Sequence, residues 1–336
     1  VTTAAPPERR AIRTVGLLVS LGILALVALA SIAIGAKELS LEQVWHGLFD
    51  DTGMYGDVVV GERLSRTVLG LLAGAALGLS GALLQALTRN PLADPGLLGI
   101  NAGASAAVVT AITFLGVTSL SGYVWFAFLG AAAVGALVWF LGGSRGATPV
   151  RLALAGTAIT AALYGYLQAV MITDGAALGK MRFWTVGSLA SATDSTITQV
   201  LPFFGAGLVL ALFLARPLNA VAMGDDTARA LGANLGRTRA LSMAAATVLC
   251  GAATAACGPI VFVGLMVPHA VRSFTGPDLR WILPYATILS PVLLLGADII
   301  GRMVARPAEL QVGIVTAVLG GPVFILLVRR RRTTQL

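Results

Sequence analysis

The chain has 336 residues, 57% hydrophobic and 11% charged, with a mean hydropathy of +0.88 and a net charge of +8. A water-soluble domain carries roughly 25% charged residues, so a chain this apolar lacks the polar surface to cover itself in water. Its arginines are scattered between apolar runs, with no basic stripe of interleaved aromatics, which argues against nucleic acid; two cysteines, Cys250 and Cys257, in one apolar run argue against a disulfide framework or a zinc site.

Transmembrane helices need about 20 apolar residues each, and the predicted spans follow in chain order. The first, 14–36, comes after Arg9, Arg10 and Arg13. It is longer than a signal-peptide core of about 7–15 residues and has no A-x-A site, so it reads as a retained span. The second covers 67–87. No charge occurs between Asp94 and Arg145, and a Gly/Ser turn at 116–122 divides that stretch into a third span near 96–115 and a fourth near 123–142. The fifth covers 152–173 and the sixth 195–215. The run 240–270 is long for one helix and short for two, and Gly258-Pro259 splits it into a seventh span and a shorter eighth. The ninth covers 281–297 and the tenth 310–328. The expectation is an all-α integral membrane protein of about ten transmembrane helices, one domain over 14–328, between a tail 1–13 and a basic tail 329–336.

Ten spans put both termini on one side, and positive charge favours the cytoplasm. With both termini inside, sixteen of the 23 cationic side chains fall inside and seven outside. The outside seven are Lys37, Arg63, Arg66, Lys180, Arg182, Arg302 and Arg306.

Several motifs stand out. Gly70, Gly74 and Gly78, with Gly81 nearby, line one helix face and read as a close-packing seam. In Arg89-Asn90-Pro91-Leu92-Ala93-Asp94-Pro95, the prolines stop a helix, and Asp94 can cap the next with Pro95 at its first position. This is either a rigid turn or a fixed loop at the cytoplasmic mouth of a pathway, with Asn90 as its polar contact. In the inside loop, about 217–238, Asp226 is a plausible N-cap and Gly232 a plausible C′ residue of a helix of about one and a half turns. So short a helix needs support from outside itself, from the membrane surface or a cytoplasmic partner. Arg63 and Arg66 share a helix face, and Arg302 stands four residues after Asp298. These outside arginines fit lipid phosphates, a local Asp298–Arg302 pair, or carboxylates on an external protein.

Catalytic signals are absent. His46 and His269 lack ligand-spaced partners, and no P-loop G-x-x-x-x-G-K-[ST] occurs. Acidic residues deep in spans are scarce, which argues against an ion-coupled carrier.

Arg63-Leu64-Ser65-Arg66-Thr67, Ser80-Gly81-Ala82 with Gln85, and Asn90-Pro91-Leu92-Ala93-Asp94-Pro95 with Leu98-Gly99 resemble the FecCD-type permeases of ABC importers for iron-siderophores, haem and vitamin B12. Leu154-Ala155-Gly156, Trp184 with Gly187-Ser188-Leu189, Ala230-Leu231-Gly232 and the stretch from Gly258-Pro259-Ile260 through Val267-Pro268-His269 and Arg272 follow in order. Ala297-Asp298, Arg302, Glu309-Leu310, Gly313 and Gly320-Gly321-Pro322-Val323-Phe324 complete the likeness, which covers nearly the whole chain from about residue 60. Departures are Ser65 and Gln311, where the family usually has proline; neither removes a charge.

The resemblance implies the type II ABC importer fold and a bacterial inner-membrane location. Two permease subunits, identical or related, would enclose a path, with two ATPase subunits below and an extracytoplasmic binding protein above. Arg63, Arg66 and Arg302 would dock that protein. Asp225, Asp226, Thr227, Ala228, Arg229, Ala230, Leu231 and Gly232 would form the coupling helix against the ATPase. Asn90 and Leu92 would lie near the cytoplasmic gate, and Thr157, Thr160 and Gln168 are candidates to line the path. The chain itself would bind no cofactor or metal; ATP and Mg would be used by the partners. The expected cargo is an iron-siderophore, with haem or B12 as alternatives and an ion-coupled secondary transporter as a rival class.

Overall fold

The computed structural model describes residues 7–49, 55–117, 119–143 and 149–332. The outermost parts of both expected tails, 1–6 and 333–336, and Arg145 lie outside them. The elements are α1 (Pro7–Ala33), α2 (Leu41–Phe49), α3 (Tyr55–Thr88), α4 (Ile100–Phe114), α5 (Leu120–Gly143), α6 (Pro149–Thr173) and α7 (Gly175–Trp184). They continue with α8 (Asp194–Ala222), α9 (Asp225–Ala230), α10 (Leu235–Cys257), α11 (Val263–Thr275), α12 (Leu279–Val304) and α13 (Val312–Arg332). The described part of each expected tail is helical, because α1 starts at Pro7 and α13 runs to Arg332.

The ten expected spans divide into two groups. Among the described residues, seven helices are long and apolar enough to cross a membrane: α1, α3, α5, α6, α8, α10 and α12. The other three are shorter. α4 has 15 residues, about 22 Å of rise against an apolar layer of about 30 Å. It starts later than expected because Asp94 and Pro95 begin a single 3₁₀ turn, Pro95–Leu98, that left-handed Gly99 (φ 76°) ends. α11 has 13 residues, and the apolar part of α13 is Val312–Leu326.

The break at Gly258-Pro259 is real. α10 stops at Cys257, Gly258 takes φ 72°, and Phe262 starts α11 at φ 70°. Non-helical backbone is tolerated at membrane depth only where protein satisfies it. Here the Ser188 N–H donates to the Cys257 carbonyl at 2.7 Å, and the Gly313 N–H to that of Gly187 at 3.1 Å.

α3 begins twelve residues before the expected 67, and α12 extends to Val304 rather than 297. Arg63, Arg66 and Arg302 interrupt the hydropathy but not the helices, because internal partners take up their charge. α3 is the central strut. The apolar windows of α3 and α10 are 78% buried, against 17% for α6 and 11% for α1. The glycine seam packs as expected: a Cβ at Gly74 would lie 2.6 Å from the Pro291 Cα of α12, and one at Gly81 would strike the Gly264 carbonyl of α11. Buried polar groups tie the same helices. Ser80 donates to the Ala246 carbonyl at 3.1 Å, Gln85 to that of Leu265 at 3.0 Å, and Thr254 to the Asn101 side-chain carbonyl at 2.9 Å.

Candidate functional site: two polar ends and an inner cavity

At one end of the bundle, three arginines converge from α3 and α12. Arg66 donates through Nη2 to Asp298 Oδ1 at 2.7 Å and through Nη1 to Glu309 Oε2 at 2.6 Å. Arg302 pairs with Asp298 at 3.0 Å, the i,i+4 contact that the spacing allows, and donates to the Ser31 carbonyl at 2.9 Å and hydroxyl at 3.0 Å. Arg63 donates to the carbonyls of Ile32 and Ala33 in the last turn of α1 and to that of Lys37 in the loop after it. All three arginines are under 10% exposed. A docking role implies exposed guanidinium groups; in this chain they face inward. Glu309, about one-third exposed, opens the network to the surface.

At the opposite end, α9 forms as a small bracket. Its start differs from expectation: Gly224 (φ 115°) is the N-cap, and Asp226 sits in the first turn, fully exposed, bonded to Arg229 at 3.0 Å. The helix phase turns Asp225 inward instead. The C-terminus is as expected, with left-handed Gly232 (φ 79°). The Gly232 N–H reaches the Arg229 carbonyl and the Ala233 N–H that of Ala228, both at 2.9 Å, closing a Schellman motif. Val221, Ala228 and Leu235 form a small apolar cluster beneath it, while Thr227, Ala230 and Leu231 face outward.

Asp225 binds two arginines. Arg239 Nη2 contacts both carboxylate oxygens, at 2.9 and 2.8 Å, and Arg89 Nη2 makes a very short contact with one. These hydrogen bonds, Arg239's first and Arg89's next, hold the Asp225 carboxyl below the usual range despite some burial.

Beside Arg89 lies a cavity of about 440 Å³ between the end of α3, the 90–95 loop and the start of α6. Asn90, Asp94 and Thr157 line it among apolar side chains, including Leu84, Leu98 and Leu154. Asn90 Oδ1 accepts from the Leu92 N–H at 3.0 Å, which fixes the loop as an Asx turn. Asp94 Oδ1 accepts from the Gly96 N–H at 2.8 Å; burial pushes its carboxyl up to about 6 in spite of that bond. The structure thus brings Asn90 and Thr157 together. Leu92 is half-buried outside the lining. Thr160 stands against Gly99, and Gln168 is exposed on the far turns of α6. Sequence reading missed Arg89, Arg239 and Glu309 as partners and Asp94 as a cavity wall. Only Arg89, an arginine where a helix ends before proline, left a readable signal.

The sequence matches the FecCD transport family over residues 23–330. It is 46% identical to the ferric enterobactin transport system permease FepD of Escherichia coli K12, over 96% of each chain. It is 37% identical to the hemin transport system permease HmuU of Yersinia pestis, over 92% of this chain and 94% of that one. Among solved structures, a metal-chelate type ABC transporter in an inward-facing conformation superposes with a TM-score of 0.82 at 27% identity, over 93% of this chain and 98% of that one.

Proposed function

The chain belongs to the FecCD transport family, and on that premise we propose that it is the permease of an ATP-driven importer carrying an iron-siderophore chelate across the bacterial inner membrane. The full-length likeness to a ferric enterobactin permease carries this reading. In it, two permease chains, identical or related, enclose the path and expose the poorly covered face of α6 to it. Two ATPase subunits burn ATP with Mg and push on α9, and an external binding protein delivers cargo. The permease makes and breaks no covalent bond; it supplies a path and a lever, and alternates access between the two sides.

Docking through Arg63, Arg66 and Arg302 belongs to this proposal in a sharpened form. The arginines already have internal partners, so an incoming carboxylate has to exchange with Glu309, the exposed one. Replacing Arg66 with glutamate should then weaken capture of the binding protein, most at low salt.

Uptake of ferric enterobactin into proteoliposomes holding the full complex tests the proposal. ATP-dependent accumulation that stops without hydrolysis is the expected result; uptake on a proton gradient alone overturns it. The hemin relative favours one second reading, a haem importer of the same family. Preference of the complex for haem over ferric enterobactin would establish that reading.

A further inference from the structure

We propose that Arg89 is the positioning residue that transmits movement of α9 to the loop at the inner cavity; the inference rests on the importer reading above. The backbone gives the first sign. Arg89 closes α3 with φ 50°, one of two non-glycine residues at positive φ among the described residues. Glycine adopts this conformation without steric cost, and α9, α10 and α11 all end on positive-φ glycines: Gly232, Gly258 and Gly276. An arginine at such a site points to a use for its side chain.

The side chain has one. Its Nε and Nη2 donate to the Val221 carbonyl at 3.0 and 2.6 Å, and Nη2 also reaches Asp225. The planar guanidinium therefore grips the last turn of α8 and the first residue of α9 together, which fixes orientation as well as distance. Asp225 is anchored from the other side by Arg239 of α10. Beyond these ionic contacts, α9 rests on the small cluster of Val221, Ala228 and Leu235. One peptide bond from Arg89 is Asn90, whose Asx turn shapes the cavity wall. A displacement of α9 thus has a contiguous physical route, through Asp225 and Arg89, into the loop that borders the cavity.

The test uses the complex of permease and ATPase subunits in nanodiscs, with Leu92→Cys as a reporter and a membrane-impermeant maleimide as the probe. The native Cys250 and Cys257 are buried and label slowly. Trapping the ATPase with ATP and vanadate is expected to change the labelling rate about tenfold when Arg89 is present. Arg89→Gly should cut that response below about twofold, while assembly and melting temperature hold or rise, because glycine relaxes the left-handed residue. A merely structural arginine would lower stability and leave the response of the assembled complex intact.

Asp225→Asn should weaken the response similarly, and the double variant should be no worse than either single one. Full nucleotide response in Arg89→Gly overturns the proposal. If that variant fails to assemble, Asp225→Asn decides, and a full response there overturns it equally. No response even with Arg89 in place sinks the importer reading itself, and the transmission role with it.

Discussion

The two polar ends of the bundle use the same chemistry, arginine against aspartate, to opposite effect. At the Arg302 end, Asp298 is fully buried between the side chains of Arg66, 11% exposed, and Arg302, 1% exposed. At the α9 end, the Asp225 side chain is 34% and that of Arg89 38% exposed. A buried pair that loses one partner strands a charge away from water, whereas a half-exposed one recovers hydration when it opens. Burial thus makes the Arg302 end costly to open and the α9 end cheap to open.

The largest effect should come from Asp298→Asn. It leaves two buried guanidinium groups short of their shared anion and should cost about 3–5 kcal/mol. Heating the detergent-purified chain would show this as early loss of folded, monodisperse protein; an unchanged transition would erase the contrast between the ends. Next comes Gly81→Val in the seam that joins them. Its branches would meet the Gly264 backbone, which cannot rotate away, and overpacking of that kind costs about 1–3 kcal/mol.

Asp225→Asn should destabilise by no more than about 1 kcal/mol, and molar salt should shrink that difference, while the Asp298 effect persists. The pH dependence has a definite sign. Asp225 is held below the usual range, so its stabilisation is complete above the unfolded value of about 3.9 and is lost as the pH falls through the folded value. Asp94 runs the other way. Raised to about 6, it destabilises progressively as pH climbs from about 4 to about 6, so Asp94→Asn should gain stability relative to the parent at pH 8 but not at pH 4. The smallest effect belongs to Arg229→Ala, which removes a fully solvated pair and should leave the melting temperature unchanged.

Hydropathy and local spacing made much of this legible. The glycine seam, the Asp94 cap, the break at Gly258-Pro259, the Gly232 terminus and the Asp298–Arg302 pair all depend on residues within a few positions of one another. The reach of α3 back past Arg63 to Tyr55 and of α12 past Arg302 to Val304 was not legible, because hydropathy counts a charge as an interruption whether or not the fold neutralises it. Arg66 meets Asp298 and Glu309 across 232 and 243 residues, and Arg89 meets Asp225 across 136. Pairings at that range are set by how the helices stack. Asp225 and Asp226 are chemically identical neighbours, and only the turn at Gly224 decides which one faces in.

α3 runs unbroken from Tyr55 to Thr88, about 50 Å over its 34 residues, and Arg89, just past its end, lies about 35–40 Å along the axis from Arg66 and Arg63. Prolines lie inside α8, α11, α12 and α13, but none lies in α3. Without a kink to absorb bending, it passes any tilt about its arginine-clamped end to its far end. A tilt of only about 5° there sweeps Arg89 sideways by roughly 3 Å, on the helical rise of about 1.5 Å per residue. That is as long as a whole hydrogen bond, about 3 Å, so a slight tilt about the clamped arginines is enough to make or break the grip on Asp225.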